Sequence, residues 1–339
     1  IAQKWLWKIL DEFDKGVMKE IGEYQDIVFK EIEKFQKGNK DFSLYEPVNY
    51  ILDLGGKRLR PVLTLLATDL FEGTIADSIK PALGIEVFHN FTLLHDDIMD
   101  NAPVRRGKAA VHEKWNVNAA ILSGDVMFVQ AFILVTSCKN EFLRDVLDLF
   151  NITAVEVCEG QQHDMDFESR NDVSIDEYIE MIRLKTSVLV ACALKLGAIL
   201  AGAPKQDAEK LYEFGLSLGI AFQIKDDILD VFGDASLVGK KVGGDILANK
   251  KTYLLLKALE DADESQNVTL KSWLSKEGGA DKVEAVTEIF EALSVKEKAD
   301  EVMDGYYQKS IEALDSIQID PSKKQYLCDF AAGLMNRTF

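Results

Sequence analysis

Asp96-Asp97-Ile98-Met99-Asp100 and Asp226-Asp227-Ile228-Leu229-Asp230 are two copies of one acidic pentapeptide. On a helix the first and fifth residues share a face, so Asp96 stands beside Asp100 and Asp226 beside Asp230. Repulsion between such neighbours costs only about 0.2–0.5 kcal/mol in an exposed helix, so a single copy would read as solvated surface. Two copies read differently, because each ends an apolar helical run: Phe91-Thr92-Leu93-Leu94-His95 before the first, Ile220-Ala221-Phe222-Gln223-Ile224-Lys225 before the second. Carboxylates carried to the rim of a core need cations. Oxygen donors of this kind suit Mg²⁺, which binds through one or two carboxylates and completes its shell with water and phosphate oxygens. Asp96, Asp97, Asp100, Asp226, Asp227 and Asp230 are therefore the candidate metal ligands, and the chemistry they imply is metal-assisted handling of a diphosphate.

Groups able to hold the anion itself stand at intervals along the chain. Gly55-Gly56-Lys57-Arg58-Leu59-Arg60-Pro61 is a glycine turn entering a helix, where free backbone N–H groups and cations converge. Arg105-Arg106-Gly107 offers two forked guanidinium groups just past Asp100. Lys185-Thr186 places a basic point inside an apolar helix, Gln223 precedes Asp226 by one turn, and Lys250 begins the helix after a glycine-rich stretch. That stretch, 233–249, contains Gly233, Gly239, Gly243 and Gly244 with Lys240 and Lys241 between them, a composition suited to closing over phosphate. His89 alone reads as an ordinary helix histidine.

The elements that must carry these groups are helices. Six prolines in 339 residues, no alternating strand pattern, and apolar residues recurring at three and four argue for an all-α fold. Helices are expected over about 3–36, 43–53, 58–71, 77–100, 115–138, 140–168, 174–202, 206–232, 250–262, 280–318 and from 321. Ser43-x-x-Glu46, Ser174-x-x-Glu177 and Ser294-x-x-Glu297 have the form of capping boxes. The net charge of −18 argues against a nucleic-acid partner, which needs a basic footprint. Four separated cysteines, Cys138, Cys158, Cys192 and Cys328, read as reduced core thiols. No uninterrupted apolar run reaches the ~18 residues of a membrane span, the longest candidate, Ser187 to Ala203, being broken by Lys195. A cytoplasmic protein is expected, although the sequence begins at Ile1 and leaves open a transit segment upstream.

In their order and spacing the motifs at 55–61, 96–100, 105–107, 185–186, 222–230, 239–240 and 249–250 resemble those of the trans-isoprenyl diphosphate synthases, the family of farnesyl and geranylgeranyl diphosphate synthases. The resemblance implies one all-helical domain over 1–339 in the isoprenoid synthase fold, a bundle of mostly antiparallel helices around a central cavity with the acidic motifs facing each other across its mouth. It also implies a homodimer. Asp96 and Asp100 would then hold two Mg²⁺ ions and Asp226 a third. Arg105, Lys185 and Lys240 would grip the diphosphate of an allylic substrate (dimethylallyl, geranyl or farnesyl), with Gly56, Lys57, Arg60, His89 and Arg106 binding isopentenyl diphosphate. Lys250 completes the motif set, while Thr186 and Gln223 would place polar oxygen near a transient cation.

Product length would follow from residues upstream of Asp96. At 1.5 Å per residue Phe91 lies roughly 7.5 Å and Phe88 roughly 12 Å below it, on nearly one face. With small Thr92 beside Phe91 and no insertion in the first motif, the chain resembles synthases of the twenty-carbon product, geranylgeranyl diphosphate. The fifteen-carbon farnesyl product is the runner-up. A class I terpene cyclase and a non-catalytic synthase subunit are weaker readings, because both acidic motifs are complete and a second anion site is present. A calcium-buffering protein is excluded by the absence of an Asp-x-Asp-x-Asp-Gly loop. Trp5 and Trp7 would pack a dimer partner or cap the first helix.

Overall fold

Nine of the twelve residues of Leu59–Leu70 are buried, so this helix is apolar nearly all round, the pattern of an element enclosed by others. The computed structural model that shows this describes residues 15–233, 243–276 and 278–337. Trp5, Trp7 and Lys240 lie outside the described residues.

Among them the helices are α1 Lys15–Gly38, α2 Tyr45–Asp53, α3 Leu59–Leu70, α4 Ile75–Met99, α5 Val111–Lys114, α6 Val117–Val135, α7 Asn140–Ser169 and α8 Ile175–Ile182. After a π-type turn at Arg183–Ser187 follow α9 Val188–Leu200, α10 Lys205–Phe232, α11 Gly244–Leu247, α12 Tyr253–Asp261, α13 Glu264–Leu274, α14 Ala280–Ala292, α15 Val295–Asp315 and α16 Pro321–Asn336. The all-α expectation holds, with one exception two residues wide: Val104–Arg105 pairs antiparallel with Lys108–Ala109.

The contacts gather into two compact units, neither of them a continuous stretch of chain. The first takes the chain to Thr153 together with Leu189–Tyr212 and Ile317–Asp329; the second takes Ala154–Val188, Glu213–Ser316 and Phe330–Phe339. In the first unit α4 packs along α6 and α3. Its core holds Phe88, Phe150, Leu63, Leu65 and Leu83. In the second unit α12, α14 and α15 pack on one another. Each unit carries one acidic motif, on α4 in the first and on α10 in the second.

Three local expectations changed. Only Ser174 forms its capping box, accepting from the Glu177 N–H at 3.2 Å. Ser294 is left-handed at φ 51° and breaks the expected 280–318 helix into α14 and α15, since an N-cap that bonds the third N–H needs extended backbone. The α2 N-cap is Leu44 rather than Ser43. By length and composition α6 is apolar enough to cross a membrane, with mean hydropathy 1.7, although Asn118, Asp125 and Gln130 interrupt it. Its Ala120, Ser123, Gly124, Met127 and Ala131 are buried, while Val117, Ile121, Leu122, Phe128, Val129, Phe132 and Ile133 are exposed.

Candidate active site

In the first unit the end of α4 divides its three aspartates by role. Asp97 is 1 % exposed and turned inward. The Arg105 Nε–H donates to both of its oxygens, at 3.0 and 3.1 Å, and Nη2 adds a further bond to Oδ1. Asp96 is half-buried and Asp100 exposed, and they stand one turn apart on the same face, within reach of a cation from solvent.

Arg105 reaches Asp97 because of the small hairpin. Arg106 and Gly107 both have positive φ, 52° and 76°, the backbone of a type I′ turn that matches the twist of paired strands. The Tyr50 hydroxyl donates to the Ala109 carbonyl at 2.8 Å and pins the hairpin to α2. Arg106 in turn donates to the Gly55 carbonyl. At Gly56, φ is 132° and a Cβ would stand 3.0 Å from the Arg106 guanidinium, so the loop needs glycine there on both counts.

The basic residues of 55–61 take different parts. Arg58 is buried against Glu86 at 2.6 Å and donates to the Leu52 carbonyl, so it is internal scaffolding. Lys57 is exposed, and its carbonyl accepts from Gln25 at 2.9 Å. Arg60 Nη1 lies 3.1 Å from His89 Nε2, and Arg60 Nε is buried without a hydrogen-bond partner. Burial, then the charges of Arg60, Arg106, Arg58 and Arg105, hold the His89 imidazole well below its ordinary pKa, so it is neutral at pH 7. Burial likewise lowers Arg106 to about 10. Four arginines around one neutral imidazole, offset by Glu86 and Asp97, make a local positive field inside an acidic chain.

The second unit repeats the division. Asp227 is 3 % exposed and accepts from the Tyr178 hydroxyl at 2.5 Å and from Gln223 Nε2 at 3.2 Å. Burial first, opposed by the charge of Lys250, raises its carboxyl to about 7. Thr186 Oγ1 donates to Gln223 Oε1 at 3.3 Å, which completes a polar chain Thr186–Gln223–Asp227–Tyr178. Asp226 and Asp230 are half-buried. Asp226 accepts from Arg337, and Asp230 Oδ2 accepts from the Asp245 N–H at 2.9 Å, anchoring the far end of the glycine-rich stretch.

Lys185 and Thr186 sit on the π-type turn, whose wider spacing re-aims them relative to an α-helix. Lys185 Nζ donates to Asp164 at 2.5 Å. Two glycines make room for the turn. A Cβ on Gly160 would stand 2.7 Å from Lys185 Cα, and one on Gly219 would stand 2.7 Å from Ser187 Cα.

These aspartates suit a hard divalent cation: the donors are all oxygen, and two of the six already pair with guanidinium groups, Asp97 with Arg105 and Asp226 with Arg337. Among the described residues no three His, Cys, Asp or Glu side chains close around one point. Mg²⁺ does not require that, since substrate phosphate oxygens and water complete its shell.

The sequence model of the family described as polyprenyl synthetase matches residues 42–293. The chain belongs to that family. It is accordingly an enzyme of the trans-prenyltransferase class. A crystallised geranylgeranyl pyrophosphate synthase is 44 % identical with a TM-score of 0.90, covering 94 % of this chain and 99 % of that one. The geranylgeranyl diphosphate synthase of Methanosarcina mazei is 37 % identical over 87 % of this chain and 90 % of its own length. The geranylfarnesyl diphosphate synthase of Natronomonas pharaonis is 35 % identical over 94 % and 97 %. Relatives named for two product lengths thus stand at similar distance.

Phe88, Phe91, Phe128 and Phe150 form an aromatic cluster in the first unit. Phe88 is fully buried, with ring centres 5.6 Å from Phe91, 6.0 Å from Phe128 and 5.3 Å from Phe150; Phe91 lies 5.4 Å from Phe128 and 4.8 Å from His95. Thr92 turns its hydroxyl to the His89 carbonyl at 2.8 Å. Sequence reasoning missed Phe128, Tyr178, Asp164, Asp245 and Arg337. Phe128 lay hidden in an apolar helix, and the polar four lay outside any motif.

Proposed function

We propose that this synthetase condenses isopentenyl diphosphate head-to-tail with allylic diphosphates, ending at the twenty-carbon geranylgeranyl diphosphate. What supports the reading is the matched pair of acidic helix ends, each with its middle aspartate buried as scaffolding and its outer two more exposed, on one face of the helix. About three Mg²⁺ ions, when bound, supply Lewis-acid stabilisation of the charge that develops on the departing diphosphate. Asp96 and Asp100 would hold two of them and Asp226, with Asp230, the third.

The chain's own groups do the rest. Arg105, fixed by Asp97, and Lys185, fixed by Asp164, grip the allylic diphosphate together with Lys240 and stabilise its growing charge more in the transition state than in the ground state. Gly56, Lys57, Arg60, Arg106 and neutral His89 bind the diphosphate of isopentenyl diphosphate, and Lys250 steadies the acidic side of the second motif. Thr186 and Gln223, held by the Asp227–Tyr178 pair, present oxygen to the allylic cation. The double bond of isopentenyl diphosphate attacks that cation, a proton leaves to the released diphosphate, and the chain is longer by five carbons. Phe88, Phe91 and Phe128 stop further growth.

The exposed apolar residues of α6 are the face for a second copy, giving a homodimer in the cytoplasm. Incubating the enzyme with isopentenyl diphosphate and farnesyl diphosphate, with and without Mg²⁺, tests the reading. A twenty-carbon product formed only with metal is expected; a cyclised hydrocarbon, or no use of isopentenyl diphosphate, would overturn it.

A further inference from the structure

The second acidic motif carries its own cation. Arg337, just past the end of α16, donates from Nη2 to Asp226 Oδ1 and, at 3.1 Å, to the Phe222 carbonyl. Its guanidinium carbon lies 4.0 Å from the centre of the Phe222 ring. Phe222 and Asp226 are four residues apart on α10, so one helix face offers a ring and a carboxylate one turn apart. The Arg337 side chain is 7 % exposed against 41 % for Asp226, and its Nε is buried with no hydrogen-bond partner. The guanidinium has therefore been taken out of water to sit on this one carboxylate.

We propose that Arg337 is a positioning residue for Asp226. In the metal-free enzyme it neutralises the carboxylate and fixes its rotamer, and a divalent cation must displace it before Asp226 coordinates. The proposal rests on the reading of Asp226 as a metal ligand. Oδ1 is the engaged oxygen, and Mg²⁺ demands near-ideal geometry from its ligands, so guanidinium and metal compete for that atom. Loading of the second motif is thereby tied to release of Arg337. In the first motif the arginine that forks a carboxylate, Arg105, holds the buried middle residue Asp97 instead.

The test is Mn²⁺ binding, read from the electron paramagnetic resonance of the free ion, with inorganic diphosphate present. Wild type, Arg337→Lys, Arg337→Gln, Asp226→Asn and the double variant Arg337→Gln/Asp226→Asn are compared. Arg337→Gln is expected to tighten one class of Mn²⁺ site by roughly five- to tenfold, the strength of a partly exposed charge-assisted bond. Arg337→Lys, which keeps the charge without the fork, is expected to fall between, and the double variant to lose the gain. Unchanged or weaker Mn²⁺ affinity in Arg337→Gln, or a gain that persists in the double variant, overturns the proposal. If Asp226→Asn removes a Mn²⁺ site while Arg337→Gln changes nothing, only the role of Arg337 falls. If Asp226→Asn leaves Mn²⁺ binding intact, the metal-ligand reading falls with it.

Discussion

Replacing Phe91 with alanine should lengthen the product by one isoprene unit. Phe91 is half-buried and stands five residues before Asp96, roughly 7.5 Å along α4, where a growing chain first meets a ring. Removing it leaves Phe88 as the next obstruction, three residues and so roughly 4.5 Å deeper. An isoprene unit spans roughly 5 Å, from four carbon–carbon steps of about 1.5 Å. The space opened therefore matches one unit, and Phe91→Ala should shift the main product from twenty to twenty-five carbons. Adding Phe88→Ala should admit one unit more, at a cost of about 3–5 kcal/mol in stability because Phe88 is fully buried among Phe91, Phe128 and Phe150. Phe128→Ala removes the wall on α6 without moving the depth, and should broaden the product distribution rather than shift it. The assay is chromatography of the dephosphorylated products at saturating isopentenyl diphosphate. Product lengths identical to wild type in folded, active Phe91→Ala and Phe88→Ala/Phe91→Ala enzymes would refute the argument.

Asp97→Asn breaks the fork with Arg105 without emptying the space; kcat should fall roughly 100-fold, as expected for a misplaced charge, and rise again with a second-site change that re-anchors Arg105. A kcat within a factor of two of wild type would show that Arg105 needs no such anchor. His89 should stay neutral to below its ordinary value of 6.5 in a ¹⁵N-imidazole titration. Its folded pKa is depressed, so below that value the unfolded chain takes the proton first and stability falls as pH drops; His89→Gln should flatten this part of the curve. A titration at or above 6.5 would contradict the burial and the arginine field together. Gly160→Ala and Gly219→Ala should each lose about 1–3 kcal/mol in chemical denaturation, from overpacking against the π-type turn. Gly305→Ala, with nothing within 4 Å of its Cβ, should lose nothing.

The sequence carried the chemistry more plainly than the geometry. Paired carboxylates at fixed spacing are a chemical pattern, so both acidic motifs and the 55–61 and 105–107 clusters were legible without a structure. Which aspartate of each motif turns inward was not, because Asp96 and Asp97 are the same residue type and only the packing of α4 distinguishes them. Arg58 and Arg60 pose the same problem: one is bound by Glu86, the other meets His89. The π-type turn at Arg183–Ser187 leaves no trace in composition, and its only signals are Gly160 and Gly219 on other helices. Two-residue strands are too short to alternate, so the hairpin was invisible despite the glycine of its turn. The helix Glu264–Leu274 was missed because its surface is polar, although Asp263-x-x-Gln266 is a capping box that forms. Phe128 belongs to a helix apolar over most of its surface, so no periodicity singles out the ring facing Phe88 and Phe91.

We propose that each acidic helix end loads metal for departure of diphosphate. Single-turnover formation of prenyl product at saturating Mg²⁺, compared among wild type, Asp96→Ala and Asp226→Ala, tests it most directly. Each variant is expected to lose at least about 100-fold in rate, and chelation of wild type is expected to abolish product. Turnover undiminished in either variant, or surviving chelation, would contradict it.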